Sequence, residues 1–173
     1  MAVMAGDNGP YRAFICGALN EWGYPAKDRS GRLDTLEEPH LGKLLNKMSV
    51  VLITGSCGLV GSESVKFFIS KGFDVVGIDN NSRASFFGKD GDINWVKKYL
   101  IKSYRRYIHR NIDIRNYSAL EKIFKKYKKS IKLIIHSAAQ PSHDWAKTKP
   151  FVDFTINALG TLNLLNLTKK YSY

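Results

Sequence analysis

From Ser49 onward, apolar residues follow two alternating patterns: short unbroken runs, and longer stretches with helical spacing. The run "VVLIT" (50–54) is apolar throughout, as in a strand covered on both faces. In "LVGSESVKFFISKG" (59–72), Val60, Val65, Phe68 and Ile69 fall on one side of a helix that Gly72 ends. "DVVGID" (74–79) predicts the second strand, and a long loop followed by a helix fills 80–103. The beginning of "YRRYIHRNI" (104–112) predicts the third strand, "NYSALEKIFKKY" (116–127) a helix and "KLIIHSA" (132–138) the fourth strand. "PFVDFTINALGTLNLLNLTKKY" (150–171) predicts one long helix. Strands alternating with helices imply right-handed crossovers and a parallel sheet covered on both faces. The expected fold is a doubly wound α/β sheet of strand order 3-2-1-4.

Residues 1–47 break this rhythm. Gly6, Gly9, Pro10, Gly17, Gly23, Pro25, Gly31, Pro39 and Gly42 occur there without a sustained period, so an irregular extension is expected, with a short helix around 41–47. The domain boundary falls at 47/48, and Met48 would suit the start of the ordered part.

At 173 residues and 44% apolar content, the chain can bury one core. It contains no apolar stretch of the roughly 18 to 20 residues a membrane span needs, and the N-terminus lacks an export pattern, so a cytoplasmic location is expected. Cys16 and Cys57 are too few for a disulfide framework and are expected as reduced thiols, and no metal-ligand cluster is visible.

The net charge of +12 changes the picture only after it is located. Residues 1–47 hold 6 basic and 6 acidic side chains, leaving 21 and 9 for residues 48–173. Much of the excess lies in 97–110 and 122–132, where basic and aromatic residues interleave as on a nucleic-acid surface. Against that reading, Leu120, Ile123, Phe124 and Tyr127 recur at helical spacing while Lys125, Lys126, Lys128 and Lys129 close the helix. A solvated lysine face on an enzyme is favoured.

Candidate chemistry sits at the strand ends. In "TGSCGLVGS", Gly55 allows a sharp turn, Gly58 leaves room for a ligand against the backbone, and Gly61 brings the helix close to the sheet. A helix N-terminus opened this way suits a pyrophosphate, and no Gly-Lys-Ser/Thr follows to make a Walker loop. Asp79 ends the second strand about 20 residues later, where a carboxylate accepts ribose hydroxyls and repels a 2′-phosphate. NAD is therefore favoured over NADP, with Arg83 nearby as the residue that would favour the phosphorylated form. Asp113 and Ile114 follow the third strand as candidates for the adenine amino group and ring, or Asp113 caps the next helix. Ser137, Ala138 and Ala139 are small enough to admit a ligand beside the fourth strand.

These residues resemble the extended short-chain dehydrogenase/reductases, which include nucleotide-sugar epimerases and dehydratases. "TGSCGLVGS" is similar to their T-G-x-x-G-x-x-G turn, "GIDNNSR" to their ribose loop and "NIDIR" to their adenine loop. "HSAAQ" and "NALGTLNLL" resemble their fourth-strand and long-helix motifs, and the resemblance runs from about Met48 to Tyr171. It implies a Rossmann-type NAD-binding domain, here cut after the helix that follows the fourth strand.

By position, it places Gly55, Gly58, Leu59, Val60 and Gly61 at the pyrophosphate and Asp79, Asn80, Ser82 and Arg83 at the ribose. Asp113 and Ile114 fall at the adenine, and Ser137, Ala138, Ala139 and Gln140 at the nicotinamide, with Asn157 in support. "DNNSRASFFG" and the stretch 138–165 are most similar to members that epimerise a CDP-linked sugar at C2, by oxidation to a keto sugar and hydride return to the other face.

The family's Tyr-x-x-x-Lys pair, whose phenolate takes the hydroxyl proton, is not among residues 1–173, and "YPAK" (24–27) is one residue short. No catalytic residue is therefore assigned, and the chain is expected to be inactive alone. His143 and Trp145, beside Asp144, are candidate substrate contacts; a loop histidine and a packed tryptophan are the simpler expectation. A fourth strand without a further neighbour, with Val152, Leu159, Leu162 and Leu165 lacking cover, implies poor solubility of the monomer. The family's long helix implies a homodimer for an intact enzyme. A non-catalytic NAD-binding regulator and a basic nucleic-acid module are the competing readings.

Overall fold

A computed structural model describes residues 49–172. The expected extension at 1–47, its helix at 41–47 and Cys16 lie outside the described residues. Four parallel strands form one sheet in the order β3-β2-β1-β4, with β1 Val50–Thr54, β2 Asp74–Ile78, β3 Tyr107–Arg110 and β4 Ile131–His136.

The apolar run of β1 is divided between two layers by the period of two along a strand. Val50 and Leu52 join Val76, Ile78, Leu120, Phe124, Leu164 and Leu167 on one face. Val51 and Ile53 join Val65, Val75, Leu100, Tyr107 and Ile135 on the other. The first layer is covered by α4 (Tyr117–Tyr127) and α7 (Gly160–Tyr171), the second by α1 (Leu59–Ser70) and α3 (Asn94–Ser103). Every residue of β1 is buried, which is why it reads as unbroken apolar sequence.

Helix ends follow local chemistry. Gly72, at φ +87°, follows α1 and donates to Ile69 C=O, a turn that a residue with a Cβ rarely adopts. Asn116 caps α4 by accepting from Ala119 N–H at 3.0 Å, so the cap considered for Asp113 belongs to Asn116. Leu120, Ile123 and Phe124 are buried under α4, while Lys122, Lys125 and Lys126 are exposed. Glu121 collects Lys125, Lys170 and the Tyr171 hydroxyl at 3.1, 2.9 and 2.7 Å, joining α4 to the end of α7.

Several elements differ from expectation. β3 begins at Tyr107, not Tyr104, because Tyr104 N–H still donates to Leu100 C=O and Tyr107 N–H to Tyr104 C=O. The chain turns there, and its first ladder bond runs from Val75 N–H to Arg106 C=O. The stretch expected as a long loop contains α2 (Arg83–Phe87) and a 3-10 turn at Gly88–Gly91. The region around His143, expected as loop, is α5 (His143–Thr148), because the Ser142 hydroxyl accepts from Trp145 N–H. The long helix spans its expected extent in three pieces: α6 (Pro150–Phe154), a π turn at Thr155–Leu159, then α7.

Candidate functional site

Thr54 ends β1, and the chain turns at Gly55, φ +67°. Gly55 and Ser56 N–H both donate to Ile78 C=O, at 2.8 and 3.3 Å, hooking the turn onto the end of β2. A Cβ on Gly55 would meet Ala138 N at 2.7 Å, and one on Gly61 would meet Gly55 O at 2.0 Å. Both glycines are therefore needed for backbone to pass backbone. Gly58 differs: a Cβ there would meet only Gly55 O, at 3.3 Å. Gly58 precedes α1 with no side-chain cap, which leaves first-turn N–H groups open to an anion in front of Leu59 and Val60.

Asp79 follows β2 and is oriented by the turn itself. Its Oδ2 accepts from Cys57 N–H at 3.0 Å and its Oδ1 from Asn81 N–H at 2.8 Å. Each oxygen keeps a further lone pair for a hydroxyl donor. The carboxylate faces a cavity of about 230 Å³ lined also by Cys57, Asn80, Asn81, Lys97, His109 and Asn111. Asn81 adopts φ +58° and spans to the 92–93 loop, with Nδ2 on Asp92 Oδ1 and Oδ1 accepting from Ile93 N–H. The Cys57 thiol, 2% exposed, is pushed up to about 11 by burial and by the Asp79 carboxylate, so it is a neutral thiol at physiological pH.

At the next strand end, Arg115 grips Asp113 through Nη2 at 2.6 Å and through its backbone N–H at 2.9 Å, holding the carboxyl below its usual range. Asn80 Nδ2 donates to Asp113 Oδ2 at 3.3 Å, which brings the ribose and adenine candidates together. Ile114, the other adenine candidate, is 5% exposed and packs on Gly160, where a Cβ would lie 2.5 Å from Ile114 Cδ1. Most of its side chain supports the loop from the core. Ser82 precedes α2, and Arg83 lies 4.8 Å over the Phe87 ring, exposed.

Beyond β4, Ser137 Oγ donates to Thr54 C=O at 2.8 Å and Ala138 N–H donates to Thr54 Oγ1 at 3.3 Å. This is why the strand stops at His136, two residues short of expectation. Ala139 is exposed, whereas Gln140 is 4% exposed with its side chain spent on Ser142 and Asp153. Gln140 thus shapes the loop and presents no free amide to a ligand. His143 and Asp144 are exposed and make no hydrogen bond to each other among the described residues. Trp145 packs edge-on against Phe86 at 5.0 Å with Lys149 4.4 Å above its ring, joining α5 to α2.

Sequence reasoning missed three contributors. Lys97 enters the cavity from α3, one turn beyond the loop that Asn81 holds. His136 bridges Thr54 Oγ1 at 2.6 Å and Thr161 Oγ1 at 3.0 Å, and burial lowers its pKa. Thr161 in turn donates to Asn157 C=O at 2.6 Å, so a neutral His136 accepting at Nδ1 and donating at Nε2 satisfies the whole row. Asp153 is the third. Lys97 and Asp153 stand outside the quoted family motifs, and His136 opens "HSAAQ" without a spacing that points to its two threonine partners.

The profile of the NAD dependent epimerase/dehydratase family matches residues 51–173, and the chain belongs to that family. It is 33% identical over 122 residues to CDP-paratose 2-epimerase of Salmonella typhi, covering 70% of this chain and 33% of that protein. It is 33% identical over 124 residues to UDP-glucuronate 4-epimerase of Thermodesulfobacterium geofontis, covering 72% and 36%. Among solved structures, UDP-glucose 4-epimerase of Thermus thermophilus in complex with NAD superposes with a TM-score of 0.53 at 25% identity, over 70% of this chain and 34% of that one. The chain spans about a third of the length of the curated relatives it matches.

Proposed function

We propose that residues 48–173 form the NAD-binding part of a nucleotide-sugar epimerase. The observation that carries this is the Asp79 carboxylate, held by Cys57 N–H from the glycine turn, beside the uncapped start of α1. Gly58 supports it by position, at the turn in front of the uncapped start of α1, where a residue without a side chain leaves room for a phosphate. Leu59, Val60 and Gly61 supply the N–H groups for the pyrophosphate, Asp79 and Asn80 the ribose contacts, and the Asp113 loop the adenine edge. Ser137, Ala138 and Ala139 line the nicotinamide end, with Asn157 behind them. NAD, when bound, supplies a hydride acceptor that becomes the donor for the return step.

No lysine in residues 1–173 has a tyrosine four positions before it, so this chain holds the cofactor without the general base. The finer reading is a CDP-linked sugar epimerised at C2, supported by the likeness to the Salmonella protein over 122 residues. It is tested on a chain that also carries the Tyr-x-x-x-Lys segment, by turnover of CDP-linked against UDP-linked sugars. A homodimer through the α6–α7 face is the expected assembly, supported by the exposed Phe151, Phe154, Leu162 and Leu165.

The first experiment titrates residues 1–173 with NADH and NADPH. NADH is expected to bind at least about tenfold more tightly, because Asp79 repels a 2′-phosphate. Equal affinity would overturn the ribose assignment of Asp79, and no binding of either by the folded chain would overturn the cofactor reading.

A further inference from the structure

Two side-chain amides clamp the loop that follows β4. Asn157 grips the backbone of Gln140 at two points: Oδ1 accepts from Gln140 N–H at 2.8 Å and Nδ2 donates to Gln140 C=O at 3.2 Å. Gln140 grips Ser142 in the same way, with Nε2 donating to Ser142 C=O at 3.0 Å and Oε1 accepting from Ser142 N–H. Ser142 then caps α5 through Trp145 N–H. Each clamp works only with its amide one way round. Turned over, a carboxamide has nearly the same shape but sets oxygen against carbonyl and nitrogen against N–H.

One atom reinforces both orientations. The second N–H of each amide goes to Asp153 Oδ1, at 2.9 Å from Gln140 Nε2 and 3.0 Å from Asn157 Nδ2. An ionised carboxylate accepts only, so an amide presented oxygen-first meets repulsion there. Gln140 is 4% exposed, so little water reaches a wrongly turned amide to compensate. The π turn at Thr155–Leu159 lies between this carboxylate on α6 and the core helix α7, and Asn157 sits within it.

We infer that Asp153 is a positioning residue: by bracing the Gln140 and Asn157 amides in their clamping orientation it holds the course of residues 137–142, the proposed nicotinamide end of the site. It acts through those amides and touches no ligand. The inference rests on the NAD reading above for what the loop does, though not for how the loop is held.

The test compares Asp153→Leu and Asp153→Asn with the native chain by two readouts: amide hydrogen exchange without ligand, and affinity for ADP and for NADH. In Asp153→Leu, the Gln140 and Ser142 amides are expected to exchange at least about tenfold faster while those of β1 and β2 keep their protection. NADH should bind about tenfold more weakly with ADP unchanged, and Asp153→Asn, which keeps an acceptor oxygen, should recover most of both. Unchanged exchange at Gln140 and Ser142 would overturn the inference. So would an equal loss of ADP and NADH with protection lost across the sheet, which marks general support of the fold. Should Asp153→Leu unfold, Asp153→Ala removes the same acceptor and is read the same way. A native chain that binds neither ADP nor NADH fails the cofactor reading instead, and the exchange result still decides whether Asp153 holds the loop.

Discussion

A methyl group at Gly61 would sit 2.0 Å from Gly55 O, while one at Gly58 would sit 3.3 Å from the same atom. The packing demand is therefore much harder at Gly61 than at Gly58, three positions before it. Gly61→Ala is expected to cost at least about 3 kcal/mol in urea unfolding, since backbone rather than a yielding side chain must move. Gly58→Ala meets the same backbone oxygen less closely and should cost clearly less than Gly61→Ala, while weakening NADH about tenfold if the turn holds the pyrophosphate as proposed. His136 offers a pH test. Burial lowers its pKa below the ordinary 6.5, so the unfolded chain takes up a proton where the folded chain does not. Stability contributed by the neutral ring is present above that value and is lost as pH falls below it. The urea midpoint of His136→Gln should consequently drop less between neutral and mildly acid pH than that of the native chain; an equal drop would show that the ring titrates normally.

Among the elements, those with a periodic apolar pattern were legible in the sequence, and those fixed by single polar contacts were not. β1, α1 and α4 could be read because their buried residues recur at the spacing of their element. Gly55 and Asp79 could be read because a turn and a strand end constrain which residue types fit. α5 escaped notice because its six residues hold no apolar stripe and depend on Ser142 for a start. The beginning of β3 escaped because Tyr104 and Tyr107 look alike in sequence, although one still closes α3 and the other opens the strand. The burial of Ile114 could not be read because its packing against Gly160 is set by α7, 46 positions away in the chain. At this scale the Asn116 cap is separable from its helix. Asn116→Ala should lower stability by about 1 kcal/mol, Asn116→Asp should recover it, and thermal unfolding distinguishes the two.

The molecule as a whole carries two surfaces that bear on assembly. β4 pairs only with β1 among the described strands, and Phe151, Phe154, Leu162 and Leu165 stand 77%, 63%, 50% and 62% exposed along α6 and α7. Val152, expected to lack cover, instead packs partly against the core. The chain should therefore sediment as a dimer or larger species, and a Leu162→Lys, Leu165→Lys pair should shift it toward the monomer; a native chain that stays monomeric would remove the case for that interface. No helix among the described residues is long and apolar enough to cross a membrane. The neutral, enclosed thiol of Cys57 gives this molecule a built-in gauge. At 2% exposure it meets an alkylating reagent mainly when the turn or the cavity beside it opens, and only a thiolate reacts. With Cys16→Ser removing the other thiol, the labelling rate of Cys57 would clock how often the fold opens, and a ligand seated on the turn would slow that clock.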